Sequence, residues 1–277
     1  MKSQTTLLRF LAQKWSLTKL VAIEHSGVNL VFTARKNRTP VILKIIPDAH
    51  AFTAELHALE YYKKHGVVPL LRKDSKHQAL LLEYIQPGIS LKTLFPRQDS
   101  EAVHITAQLI KRLRAASHEK AAVYSISFKK LDEITHTLQT INKSALPEKL
   151  LSTAKKFSAT LLKEKHSTIL HGDLHHENIL LSAKDGWLAI DPKGLIGDPA
   201  YEVATFICNP MPELMNRINI IALLKTRFSL FSALLGVDMQ RLYKWAYVRA
   251  VLGACWQIED KQDPKYFMKV AETLDIL

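Results

Sequence analysis

The alternation of apolar and polar positions divides this chain into a short sheet-forming part and a longer helical part. An amphipathic helix is predicted over residues 3–14, and strand-like runs follow at 17–25, 30–35 and 40–46. The first two runs are joined by Glu24-His-Ser-Gly-Val-Asn29, a turn with a single glycine, Gly27. The third run, Val41-Ile-Leu-Lys44-Ile-Ile46, carries one charge among apolar residues. A buried strand does not hold an ammonium without a partner. A helix predicted over 49–65 offers Glu55, with Glu60 in reserve. Residues 67–71 and 79–83 form the next hairpin, and Glu83-Tyr-Ile-Gln-Pro-Gly88 ends it at a Pro-Gly junction. Helices are predicted over 99–116, 127–143, 147–165, 198–207, 212–233, 238–258 and 263–275. A β-hairpin interrupts them at 168–191. The class is α+β, with units expected at 1–86 and 87–277.

The chemistry concentrates in that hairpin. His171-Gly-Asp173 places an Asp in a turn, Asn178 follows five residues later, and a second short strand ends in Asp191. Asp and Asn are common turn residues, and each match alone has that bland reading. The three in order, with a lysine strand upstream, have the layout of a phosphoryl-transfer site. One carboxylate takes the proton of an attacking hydroxyl, while an amide oxygen and a second carboxylate hold magnesium against the phosphates of ATP. Protein kinases write this as His-Arg-Asp…Asn…Asp-Phe-Gly. Here Gly172 replaces the Arg and Pro192-Lys193 replace Phe-Gly, which points toward kinases of small hydroxylated molecules.

His171-Gly-Asp-Leu-His-His-Glu-Asn178, with Asp191-Pro-Lys-Gly-Leu-Ile-Gly-Asp-Pro-Ala-Tyr-Glu202, resembles the aminoglycoside phosphotransferase family. The second run is most similar to its streptomycin 6-phosphotransferase and hydroxyurea phosphotransferase branch. The resemblance implies a bilobal protein-kinase-like fold and two cofactors, ATP and Mg2+. It casts Asp173 as the base, Asn178 and Asp191 as magnesium ligands, and Lys44 paired with Glu55 as the phosphate grip. Glu55-Leu-His-Ala-Leu59 matches the family's Glu-x-x-Ala-Leu. Backbone amides around Ser26 and Gly27 are expected near phosphate, and Glu83, Tyr84 and Ile85 at an adenine-binding hinge. Asp198, Glu202, Trp256 and Glu259 are candidates for the acceptor site. For Asp198 and Glu202 the alternative is a helix start, which acids favour through the helix dipole.

Charge modifies this reading. The chain carries +12, and its lysines and arginines are spread over many helices rather than gathered with aromatics. That excludes a nucleic-acid-binding block and predicts a solvated basic surface. Residues 173–202 reverse the balance, with six acids to two lysines. An acidic site in a basic protein suits magnesium and a cationic acceptor. The apolar stretch 218–237 contains Lys225 and Arg227 and reads as buried helices, not a membrane span. Cys208 and Cys255 have no metal or redox spacing, and His171, His175 and His176 match no common zinc pattern. The start has too short an apolar run for a secretory signal, and the cytoplasm is expected. No obligate protein partner is expected.

The resemblance makes an aminoglycoside-like acceptor, streptomycin first, the leading expectation. Two alternatives stand beside it: a housekeeping kinase of a sugar or amino alcohol, and a kinase-fold binding protein with weak catalysis. The presence of Lys44, Asp173, Asn178 and Asp191 together argues against the last.

Overall fold

Alternation along the central strands decides which residues meet the solvent, the core and the site. In this computed structural model, which describes residues 2–23, 29–117, 121–142 and 145–277, helix α1 (Lys2–Trp15) leads into β1 (Leu17–Ala22), β2 (Leu30–Lys36) and β3 (Thr39–Ile45). Helix α2 (Ala49–Tyr61), β4 (Leu70–Asp74) and β5 (Ala79–Glu83) complete an antiparallel sheet of order β1-β2-β3-β5-β4. Val41, Leu43 and Ile45 of β3, with Ala79 and Leu81 of β5, pack under Leu11 and Trp15 of α1. The period of two turns the intervening residues, Lys44 among them, to the opposite face. There Leu80 and Leu82 meet Phe52, Leu56 and Leu59 of α2 in the main core. Each fully buried Leu or Phe of this kind contributes about 1.5–3 kcal/mol relative to exposure. Helix α2 starts where Asp48 accepts a hydrogen bond from Ala51 N–H, 2.6 Å, as a helix N-cap.

The chain then crosses to the larger helical part. Strand β6 (Pro87–Ser90) follows the crossing, then α3 (Asp99–Arg114), α4 (Ala121–Ser125), β7 (Lys129–Lys130), α5 (Leu131–Thr135), α6 (Thr137–Thr140) and α7 (Glu148–Leu161). Strands β8 (Thr168–Leu170), β9 (Ile179–Ser182), β10 (Gly186–Ala189) and β11 (Leu195–Gly197) carry the motif. Helices α8 (Tyr201–Ile207), α9 (Ile220–Leu235), α10 (Met239–Glu259) and α11 (Lys265–Leu274) close the structure. Two small sheets, β10-β9-β6 and β7-β11-β8, pin the motif to this part. The result is the expected bilobal protein-kinase-like α+β fold.

Two predicted helices are shorter than expected. The 127–143 stretch breaks into α5 and α6 because Lys129 and Lys130 pair in parallel with Leu195 and Ile196 of β11, a non-local contact that overrides helix propensity. The 212–233 stretch begins as a helix only at Ile220, after a short 3-10 turn over Glu213–Asn216 that follows Pro210 and Pro212. The apolar stretch 218–237, expected as buried helices, forms the single helix α9, which buries Leu224, Arg227, Phe228 and Phe231 and leaves Lys225 exposed. Arg227 is fully buried, chelates Asp99 at 2.9 and 2.7 Å, and donates to the carbonyls of Phe206, Ile207 and Asn209 at the end of α8. A cation at a helix C-terminus complements its dipole. Among the described residues no helix is long and apolar enough to cross a membrane.

Candidate active site

The face of β3 opposite α1 delivers Lys44 to α2. Its ammonium donates to both carboxylate oxygens of Glu55, at 2.8 and 2.7 Å, and both side chains are buried. Lys44 also pairs with Asp191 Oδ1, so strand, helix and motif hairpin meet at one nitrogen. Lys193 Nζ takes the other oxygen of Asp191, at 2.9 Å. Burial opposes ionisation of Asp191, yet the two lysines hold its carboxyl well below the usual carboxylate range. Burial pushes the Glu55 carboxyl up to about 7 against the pull of Lys44. Asp191 itself has φ of 60°, a left-handed conformation that Asp tolerates better than most residues.

Asp173 sits on the turn between β8 and β9. Asn178 Nδ2 donates to the Asp173 carbonyl at 2.9 Å, and Ile190 N–H donates to the Asn178 carbonyl at 2.9 Å. These bonds tie the expected base, the expected amide ligand and the residue before Asp191 into one frame. His171 completes it. Its Nε2 donates to the Ile190 carbonyl, 3.0 Å, and its Nδ1 accepts from Asp173 N–H, 3.3 Å. Accepting at Nδ1 requires the neutral ring, and burial lowers its pKa to about 4. Gly172 has φ of 85°, and a Cβ there would lie 2.6 Å from Leu195 Cγ, so no larger residue fits this turn.

Two residues expected at the acceptor face the protein instead. Glu202, at the start of α8, accepts from His171 N–H at 2.8 Å and Gly172 N–H at 2.9 Å. Both its oxygens hold the backbone just before Asp173. Burial pushes its carboxyl up to about 7 despite those donors. Asp198 accepts from Arg241 Nε and Trp245 Nε1, each at 2.6 Å, and from Ala200 N–H at 2.9 Å. Satisfied and buried, it ties the entry of α8 to α10. Trp256 is half-buried under the guanidinium of Arg249, and Glu259 is exposed in the last turn of α10. Tyr84 is exposed and Ile85 buried at the crossing, with Glu83 N–H bonded to the Pro69 carbonyl at 3.0 Å. Ser26 and Gly27 lie outside the described residues.

The sequence reading missed an arginine and a histidine beside Asp173. Arg249 Nη2 lies 3.9 Å from Asp173 Oδ1, and His175 Nε2 lies 3.9 Å from Oδ2. Arg249 interrupts the apolar run Val248-Arg-Ala-Val-Leu252 just as Lys44 interrupts its strand, and that signal was there to use. His175 also pairs with Glu177 at 3.0 Å. No three His, Cys, Asp or Glu side chains converge to hold a metal by themselves among the described residues.

Glu202→Gln should report what the α8 carboxylate does for the turn. An amide can accept from only one of the two N–H groups and confronts the other with a donor. The turnover rate is expected to fall at least about tenfold, and the melting temperature by a few degrees for a chain of this size. Unchanged turnover and melting would mean that the turn holds itself.

His176 carries a different consequence. It is fully buried, stacks on Phe206 at 4.0 Å, and neither ring nitrogen has a hydrogen-bond partner among the described residues. Burial, with Arg227, His175 and Lys92 nearby, lowers its pKa well below 6.5. A depressed folded pKa means the unfolded chain binds the proton first as pH falls, so this group erodes stability below about pH 6.5. His176→Phe keeps the stack and removes the titration. It should lose less melting temperature than wild type between pH 7.5 and 5. An equal loss in both would show that the histidine does not govern acid sensitivity.

The family model described as "Aminoglycoside/hydroxyurea antibiotic resistance kinase" matches residues 14–261. The streptomycin 6-kinase of Streptomyces glaucescens is 28% identical over 257 residues, 92% of this chain and 83% of that protein. The hydroxyurea phosphotransferase of Kitasatospora aureofaciens is 29% identical over 276 residues, 95% of this chain and 76% of that protein. Among solved structures, the choline kinase LicA of Streptococcus pneumoniae superposes with a TM-score of 0.70 over the whole of both chains at 14% identity. A thermostable aminoglycoside phosphotransferase APH(4)-Ia, solved with ADP and hygromycin B, gives 0.68 at 13% identity, covering 96% of this chain and 97% of that one.

Proposed function

The chain belongs to the aminoglycoside/hydroxyurea antibiotic resistance kinase family, a phosphotransferase with a hydroxyl acceptor, and from that premise we propose that it transfers the γ-phosphate of ATP to a small hydroxylated molecule. The observation that carries this is the meeting of Lys44, Glu55 and Asp191 beside the Asp173–Asn178 turn, at the junction of sheet and helices. Asp173 orients the acceptor hydroxyl and receives its proton. Lys44, held by Glu55, grips the nucleotide phosphates.

The residues present fit a magnesium ion. Asn178 gives its nitrogen to the Asp173 carbonyl, which leaves Oδ1 as the amide atom open to a cation. Asp191 is an ionised carboxylate. Two hard oxygen donors completed by substrate phosphates are what magnesium takes. When bound there, the ion would supply charge neutralisation on the phosphates.

The names of the relatives make a streptomycin-type aminoglycoside the first acceptor to try. A neutral polyol or amino alcohol is the second reading, and the Arg249 guanidinium beside Asp173 favours it. The test is a screen of thermal shift and ADP formation against aminoglycosides, sugars, amino alcohols and hydroxyurea. ADP formation with at least one acceptor, dependent on magnesium, is expected. If ATP with magnesium neither raises the melting temperature nor is consumed with any acceptor, the proposal fails.

A further inference from the structure

Arg249 is the buried charge for which the turn chemistry gives no account. It lies in the middle of α10 and is 8% exposed. Its guanidinium stacks over Trp256 at 4.9 Å and faces Phe267 at 5.6 Å. Trp256 is seven residues on, two helical turns along the same face. Gly253 lies between them, and a Cβ there would meet the Phe267 ring at 2.7 Å. The missing side chain lets the ring close on the helix beside the guanidinium. Nε and Nη1 are buried with no hydrogen-bond partner among the described residues. The third nitrogen, Nη2, is the one nearest Asp173, at 3.9 Å, beyond hydrogen-bond reach.

A guanidinium clamped between aromatic rings keeps its charge and loses its freedom. Aimed at the base yet too far to bond it, Nη2 keeps its donors free for an oxygen placed beside Asp173. The charges facing Asp173 agree with this. His175 stands on its other oxygen and Lys193 lies close by, while Glu177 is engaged by His175 and Lys92. The acids that could have received a cationic acceptor, Asp198 and Glu202, bond the protein.

We propose that Arg249 is a specificity-determining residue of the acceptor site: its Nη2 donates to an oxygen of the acceptor beside the reacting hydroxyl. It selects acceptors with a hydrogen-bond-accepting oxygen at that position and disfavours those with a cation there. This rests on the reading that Asp173 receives the acceptor hydroxyl.

The experiment compares wild type, Arg249→Gln and Arg249→Lys with two acceptors. Hydroxyurea is neutral and has a carbonyl oxygen beside its hydroxylamine; streptomycin is a cation. The ratio of kcat/KM for hydroxyurea to that for streptomycin is expected to fall at least about tenfold in Arg249→Gln, the worth of one charge-assisted hydrogen bond. The fall should come mainly through the KM for hydroxyurea, with the KM for ATP unchanged. Arg249→Lys keeps the charge without the planar fork and should fall between the two; it carries the test if the glutamine variant does not fold. A merely structural role would lower both acceptors together, and an unchanged ratio would overturn the proposal. Should wild type consume ATP with neither acceptor, calorimetric binding of the same two compounds to the complex with magnesium and a non-hydrolysable ATP analogue reads the same ratio. A tenfold shift in binding would then support Arg249 as the selector, while the kinase reading is decided separately by the wider acceptor screen. An unshifted ratio, or binding of neither compound, would sink the selector.

Discussion

Asp173→Asn is expected to lower turnover at least about a hundredfold, the contribution of a positioned general base, with melting temperature and nucleotide binding close to wild type. The structure separates the two effects. The turn is held through the main chain of Asp173, whose carbonyl accepts from Asn178 and whose N–H donates to His171. The carboxylate itself faces Arg249 and His175, each at 3.9 Å, beyond hydrogen-bond reach. Asparagine has the same shape and leaves every one of those main-chain bonds in place. What it removes is the capacity to take a proton. ADP formation measured beside a melting curve makes the check, and near wild-type turnover in a folded variant would remove Asp173 from the chemistry.

Lys44→Met should lose most activity, at least about a hundredfold if the lysine neutralises phosphate charge in the transition state, yet remain folded at neutral pH. Removing one partner of a buried pair usually costs about 3–5 kcal/mol because the other charge is stranded. Here Glu55 has an escape. Burial already pushes its carboxyl up to about 7 with the ammonium present, and without it the carboxyl takes up a proton instead of standing ionised. A raised folded pKa means the folded state holds a proton that the unfolded state has released. Stability therefore falls as pH rises from the unfolded value of about 4.5 through the folded one. The variant should match wild type most closely near pH 6 and fall behind it by pH 9. Melting curves across that range give the answer. A deficit that is the same at both ends would mean that Glu55 is not the group left behind, and full activity would remove Lys44 from the phosphate grip.

These two residues were legible in the sequence for one reason. Lys44 and the Asp173…Asn178…Asp191 run break local rules, a charge inside an apolar strand and polar residues at strand ends, and such breaks point to a partner. The elements around them followed from periodicity alone. The acids of α8 were not legible, because their role depends on where other backbone amides lie. Glu202 meets the N–H groups of residues 171 and 172, and Asp198 meets Arg241 and Trp245 far along the chain. Composition could count these acids as part of a pocket for a cation, but only the fold shows that both are occupied. Lys129 and Lys130 were hidden in the same way, since a parallel partner at Leu195 and Ile196 leaves no local mark. Arg249 was legible and unread: it satisfies the argument applied to Lys44, in a helix instead of a strand.

The row Glu55, Lys44, Asp191, Lys193 alternates in sign and sums to zero. It also runs outward, from the buried Glu55 to Lys193, whose side chain is 44% exposed. With all four groups ionised, such a row carries no net charge to draw a nucleotide from afar. The Lys44–Glu55 pair at its inner end is shielded from counterions by the protein around it, and ions screen buried pairs far less than exposed ones. Nucleotide affinity should therefore change little between dilute buffer and half-molar potassium chloride, even though the protein as a whole carries +12. The surface charge that makes this chain basic then governs how it meets other macromolecules and the walls of a cell, while the site keeps its own, neutral account of ionic strength.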